Sequence, residues 1–256
     1  MIETLTDKTY WEDYWKAIQI PVLVNESFSN DRVIAEFLKA HVKDSSGRKT
    51  ALEIGCAPGK WMIFLAQILH YLPDGVEYLH TAVEKTRENL AMEGVTTASV
   101  FEGDFCTLIL PEKSYDLVLA LGFIEHFTDP VTVIERMLHP LKPGGTVILG
   151  IPKFTGINRW LASEVDKTQD YQLLAHHNLS IMNKKFFENL SHNLPLRPLA
   201  IDYVGGFEPA LFNISRTTLW FRILFRGISL LLDNPLLRTL GLEWYAGYIM
   251  AAYEKR

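Results

Sequence analysis

Cysteine is scarce in this chain: Cys56 and Cys106 are the only two among 256 residues, and they lie far apart in sequence. Two such residues make no disulfide framework, and they imply free thiols in a reducing compartment, hence a cytoplasmic protein. The opening residues, MIETLTDKTYWEDYW, are acidic and aromatic where a secretory leader is basic and then apolar. No apolar run is long enough to span a bilayer. Basic charge is also short: a net charge of −5 and a pI near 5.9 give no field for a nucleic-acid polymer. No arginine-rich arm, finger or recognition-helix pattern compensates, so no nucleic-acid partner is expected. Repeats and low-complexity stretches are missing too. What is present is a globular composition, 48% hydrophobic and 21% charged, which suits one sizeable core in a single domain spanning 1–256.

From residue 50 the pattern alternates. Thr50 to Gly55 is a short apolar run ending at a glycine turn, and behind Pro58 the residues Trp61, Met62, Leu65, Ile68, Leu69 and Leu72 recur at helical spacing. Val76 to Tyr78 reads as a second strand. It is followed by Thr81-x-x-Glu84, a capping-box pattern opening a helix that Gly94 closes. Ala98 to Glu102 and Asp116 to Leu121 read as strands three and four, and Asp129-Pro130 starts a helix with an N-cap and a proline at its first position. Lys142-Pro143-Gly144-Gly145 leads into a fifth strand, Thr146 to Ile151; Leu199 to Val204 and Tyr245 to Tyr253 supply the sixth and seventh. Alternation of this kind gives an α/β fold with a mostly parallel sheet and helices on both faces, binding its ligand beyond the carboxyl ends of the strands.

The turn Glu53-Ile54-Gly55-Cys56-Ala57-Pro58-Gly59-Lys60-Trp61 lies at such an end, and its spacing tests which ligand it takes. A triphosphate loop needs four residues between its glycines and a hydroxyl after its lysine. Here three residues separate Gly55 from Gly59, and Trp61 follows Lys60. The dinucleotide fingerprint needs a third glycine where Lys60 stands. What remains is an acid followed by small residues at alternate positions, Glu53, Gly55, Ala57 and Gly59, which leaves backbone open to a ligand at a helix N-terminus.

That motif resembles the first motif of class I S-adenosylmethionine-dependent methyltransferases, with Ala57 in place of the usual middle glycine. Four more stretches fall in the order this resemblance requires: Gly75-Val76-Glu77-Tyr78, Glu102-Gly103-Asp104-Phe105, Leu121-Gly122-Phe123-Ile124-Glu125-His126-Phe127 and Leu141-Lys142-Pro143-Gly144-Gly145. The resemblance covers roughly residues 50–155 and implies a Rossmann-like seven-stranded sheet with an antiparallel last strand. It implies S-adenosyl-L-methionine as cofactor, held by Glu53, Gly55, Ala57, Gly59, Glu77, Asp104, Phe105 and Gly122. Glu77 would take the ribose hydroxyls, Asp104 the adenine amino group and Phe105 the ring, while Gly122 lies where the methionine end passes. Glu84 competes for the ribose role, but the capping box favours Glu77. Within the family the small-molecule type is closest, including quinone O-methyltransferases. In those the Glu-His pair is joined by an upstream acid that helps form a metal site; Gly122 stands at that position here, so no metal is expected.

The acceptor is less legible. Residues 1–49 read as an N-terminal helical cap and 156–256 as substrate-side insertions plus the last two strands. His126 is the candidate catalytic base for an oxygen acceptor, weighed evenly against a structural helix-end role. His176 and His177 stand in reserve and read as substrate-wall or structural residues, since no other His or Cys lies at metal-ligand spacing. Trp11, Tyr14 and Trp15 form either an ordinary aromatic face or a cover for the site. In Ser215 to Asp233, Arg222, Arg226, Ser229 and Asp233 make one narrow polar stripe on an otherwise apolar helix. From Leu211 onward six Lys or Arg face three Asp or Glu. The segment is therefore either a helix buried in the core or in a dimer contact, or a lid or interfacial helix touching membranes transiently, with a lipophilic or aromatic small-molecule acceptor.

Overall fold

The computed structural model describes residues 2–43, 45–46, 49–168, 173–232 and 243–256. Two helices, α1 (Lys8–Ala17) and α2 (Ser29–His41), precede the sheet. Then come β1 (Thr50–Ile54), α3 (Lys60–Gln67), β2 (Leu72–Glu77), α4 (His80–Met92), β3 (Val100–Glu102) and β4 (Tyr115–Leu121). A 3-10 turn (Ile124–His126), α5 (Pro130–Met137), β5 (Leu141–Pro152), α6 (Ile157–Asp166) and α7 (Lys184–Asn193) follow. The chain closes with β6 (Leu196–Val204), α8 (Leu219–Leu232) and β7 (Tyr248–Lys255).

The seven strands lie in the order β3-β2-β1-β4-β5-β7-β6. Strands β1 to β5 pair parallel, and β7 is antiparallel to both β5 and β6, as the sequence implied. From β1 the chain winds outward one way to β3, then crosses back to β4 and β5. Between β1 and β4 the winding reverses, and the crevice beyond their carboxyl ends is where such sheets take ligands.

Both faces of the sheet are covered, and the side chains show it by alternating between two cores. Val118 and Ala120 of β4 join Leu52 and Ile54 in a core roofed by α5, α6 and α7, while Leu117 and Leu119 join Ala51 beneath α2 and α3. Asn89 of α4, fully buried, bonds the backbone of Val22 and the carbonyl of Pro58, so the segment after α1 is pinned to the glycine turn. An ion pair of 2.7 Å between Lys60 and Asp31 joins α3 to α2.

Element boundaries differ from expectation in places where tertiary partners take over. The Thr81-Glu84 capping box does not form: α4 begins at His80 behind Leu79, which makes no side-chain cap. Glu77 Oε1 accepts the N–H groups of Tyr78 and Leu79 at 2.8 and 3.0 Å and fixes the helix entry two residues earlier. Gly94, at φ +71°, follows the end of α4 as expected. The Asp129 cap is present, its side chain accepting from Thr132 N. β5 starts at Leu141 because Leu141 pairs with Tyr115 before the Pro-Gly-Gly turn bulges out of register. β7 runs later than expected, from Tyr248 to Lys255. Among the described residues no helix is long and apolar enough to cross a membrane.

Candidate active site

A cavity of about 350 Å³ opens at the carboxyl ends of β1, β2, β3 and β4. One wall is made by the strand ends. Gly55 ends β1 in a left-handed conformation, φ +70°, and a Cβ there would stand 3.0 Å from the Phe123 ring. Glu77 ends β2 with its carboxylate buried and its pKa raised, chiefly by burial and against the pull of its backbone donors. Asp104 follows β3, where its Oδ1 accepts from Cys106 N at 2.8 Å and so holds the turn that presents Phe105. Phe105 in turn is edge-on to Phe123, and Arg136 lies over its ring. Gly122 follows β4 at φ +67°, and the cavity borders it as well.

Five residues named from the sequence, Gly55, Glu77, Asp104, Phe105 and Gly122, thus line one cavity. Glu53, Ala57 and Gly59 do not; they support it from behind. Gly59 caps α3 at φ +89°, and a Cβ would meet Thr86 Cγ2 of α4 at 3.0 Å, so its freedom serves helix packing and turn geometry. Glu53 is buried beneath the turn with Oε2 unpartnered, and burial pushes its pKa well up despite nearby Lys60.

The opposite wall is the N-terminal segment, which folds over the cavity. Thr4 bridges Phe127, Leu5 N donates to His126 O at 2.7 Å, and Thr128 N donates to Glu3 O. Trp11 and Trp15 of α1 line the space, and Trp11 stands edge-on to His126 with ring centres 5.0 Å apart. Lys8, which no motif marks, also borders it, as does Tyr78, which the strand-two motif contains without giving it a role.

His126 reaches the cavity wall from the 3-10 turn after β4. Its Nδ1 is 2.8 Å from the carbonyl of His176, which can only accept, so Nδ1 carries the proton and Nε2 keeps a lone pair. Burial, with His177 adding to it, lowers its pKa to about 3. His177 repeats the arrangement, its Nδ1 2.6 Å from Leu173 O and its pKa lowered to about 4 by burial. The two imidazoles lie 4.7 Å apart. Behind them Glu125 is wholly buried, neither carboxylate oxygen has a hydrogen-bond partner, and burial raises its pKa to about 8. His177 is the residue that sequence spacing did not connect to this site. Asn178 brings it there, donating its backbone N–H to Glu125 O at 2.6 Å and its amide to Phe127 O at 3.0 Å.

Comparison with known proteins bears on this arrangement. Residues 51–145 match the family described as the methyltransferase domain. Over 100 residues the chain is 32% identical to 27-O-demethylrifamycin SV methyltransferase of Amycolatopsis mediterranei, covering 39% of this chain and 37% of that protein. Over 124 residues it is 32% identical to tRNA U34 carboxymethyltransferase of Desulfotalea psychrophila, covering 45% and 37%. It is 31% identical over 124 residues to ubiquinone biosynthesis O-methyltransferase of Serratia proteamaculans, covering 46% and 48%. The chain therefore spans less than half the length of each of these relatives. A SAM-dependent methyltransferase from Aquifex aeolicus superposes with a TM-score of 0.58 at 11% identity, covering 95% of this chain and 98% of that one. The last likeness is one of fold.

Proposed function

We propose that this chain, whose core belongs to the class I S-adenosylmethionine-dependent methyltransferases, transfers a methyl group to an oxygen of a lipophilic or aromatic small molecule. One observation carries the reading: Gly55, Glu77 and Asp104 meet at successive strand ends around a single cavity that His126 also borders. The residues fit the cofactor. Two carboxylates suit its hydroxyl and amino donors, and the glycine at Gly55 leaves room that any side chain would fill. When bound, S-adenosylmethionine supplies a methyl group already activated on a sulfonium centre. The protein is left with positioning and the exclusion of water. Glu77 holds the ribose end, Asp104 and Phe105 the adenine end, while Trp11, Trp15 and Phe127 keep the reacting space dry and suit an apolar acceptor. To His126 we assign control of the acceptor's hydroxyl.

Helix α8 supports a lipophilic acceptor. Leu219, Trp220, Ile223, Leu224, Leu230 and Leu231 are all exposed and fall on one face, flanked by the exposed Arg216 and Arg226. Such a stripe suits the headgroup boundary of an anionic membrane. From its inner side, Phe225 contacts Phe212, Phe212 contacts Phe154, and Phe154 contacts His177, a line of rings leading to the site. Asp233, the end of the expected stripe, lies outside the described residues.

The test supplies methyl-labelled cofactor with a metabolite extract, a lipid extract, bulk tRNA and bulk protein in separate reactions. Label in an organic-extractable compound, released as an O-methyl group, is the expected result. Label confined to tRNA or protein would overturn the small-molecule reading, though the net charge of −5 offers a polynucleotide little attraction. For the membrane contact, wild type should sediment with anionic vesicles and a Trp220→Ser, Leu230→Ser variant should not; equal behaviour removes that part.

A further inference from the structure

Beyond methyl transfer, the buried group behind the cavity has the makings of a ligand set. Glu125, His126 and His177 each offer one ligand atom, and these atoms all lie within 4.8 Å of one another. His126 Nε2 and Glu125 Oε1 are 3.9 Å apart. Around a tetrahedral ion with bonds of about 2.1 Å, ligand atoms stand ~3.4 Å apart, so small side-chain rotations close the set.

Three independent features make this more than proximity. The Glu125 side chain is wholly buried with both oxygens unpartnered, so its hydrogen-bonding capacity is left unmet among the described residues. Both imidazoles give their Nδ1 protons to backbone carbonyls, which fixes the tautomer and leaves Nε2 as a ligand; backbone carbonyls commonly play this supporting part around metals. The glycine at 122 is the third feature. A Cβ there would point at Glu125 Oε1 from 3.7 Å, so the position from which a second acid could have joined Glu125 carries no side chain. His177, from a distant segment, joins the group in its stead.

We infer that Glu125, His126 and His177 bind one divalent first-row transition ion of the zinc class behind the part of the cavity wall that His126 forms. Two nitrogens and one oxygen favour zinc, cobalt or ferrous ion over magnesium or calcium, which take oxygen shells. This revises the expectation of no metal, which rested on the glycine at 122 and on the lack of metal-ligand spacing around His176 and His177. With each Nδ1 proton committed to a backbone carbonyl, the Nε2 lone pairs of both imidazoles are the ones left to bind a cation. A bound cation also accounts for Glu125 and His177, which a lone His126 base leaves idle. The site stands on its own geometry; only its use on an acceptor hydroxyl rests on the methyl-transfer reading.

The experiment uses the full chain, stripped with a chelator and titrated with Co²⁺ while visible d–d absorption is followed. One equivalent should saturate the band, Zn²⁺ should displace it, and millimolar Mg²⁺ should not. Glu125→Gln and His177→Gln should each weaken binding by more than about 100-fold, since loss of an outer partner alone costs 10–100-fold. His80→Gln, at an exposed histidine paired with Glu102, should leave it unchanged. Circular dichroism and calorimetry with S-adenosylhomocysteine verify that each variant is folded. Absence of a stoichiometric band in wild type overturns the inference without recourse to any variant, as does a band that both folded variants retain. Cobalt binding as described with no S-adenosylhomocysteine binding would instead sink the methyl-transfer reading and leave the metal site standing.

Discussion

The two walls of the cavity are built on opposite plans. The cofactor wall comes from successive strand ends, each polar group settled by its immediate neighbours: Glu77 by the next two N–H groups, Asp104 by that of Cys106. The acceptor wall is gathered from the N-terminal segment, the turn after β4 and the stretch around His177, and it leaves Glu125 buried without a hydrogen bond. The first plan fixes a common ligand cheaply, because the sheet already aligns the strand ends. The second fixes a particular reaction, since only the completed fold brings its pieces together.

That contrast can be broken by mutation. Gly55→Val should have the largest effect, because a branched side chain at φ +70° meets both backbone strain and the Phe123 ring. Calorimetry should detect no S-adenosylhomocysteine binding; retained affinity would mean that the cofactor wall is elsewhere. His126→Ala, on the other wall, should lower turnover by about 10²–10⁴-fold with cofactor affinity nearly unchanged, the scale of losing the group that controls the acceptor's hydroxyl. If both parameters move together, the walls are not separable. Asp104→Ala should weaken cofactor binding by about 1–3 kcal/mol, a partner left unsatisfied, with little change in turnover at saturation.

A last test reads stability, not activity, through pH. Lys153, at the end of β5, is fully buried, donates to the carbonyl of Glu243 and lies over the Tyr203 ring, and burial lowers its pKa from 10.5 to about 8. Between those values the unfolded chain holds more protons than the folded one, so stability rises with pH across that window, and below it the full cost of the buried cation applies. Thermal unfolding of wild type and Lys153→Met, compared from pH 7 to 10.5, should differ most at the low end and converge upward. A constant difference would show that the ammonium is not desolvated.

Sequence reading reached the first wall because its logic is local. A glycine at a strand end, an acid at the next and an Asp-Phe after a third are each visible within a few residues, and sheet topology does the rest. His177 could be named only as a reserve beside His176 for the converse reason: its nearness to Glu125 depends on two hydrogen bonds from Asn178 that no spacing encodes. The capping box at Thr81 misled because a carboxylate outside the helix, Glu77, set its start. For α8 the pattern described a stripe but not which side meets protein. Phe225, packed on Phe207 and Phe212, decides that, and the leucines are turned outward.

Lys85 gives the covering segment a property that burial alone would not. Its ammonium lies within hydrogen-bond reach of the carbonyls of Trp15, Lys16 and Ile18 at the end of α1, matching three donors to three acceptors. At the other end Thr4 is clasped to Phe127. A flap held on one hinge swings, but one fastened at both ends must bow or unfasten before anything passes. Uncovering the cavity therefore means breaking the Lys85 bonds or the Thr4–Phe127 bridge, so Lys85 helps keep closed a space that it does not itself line.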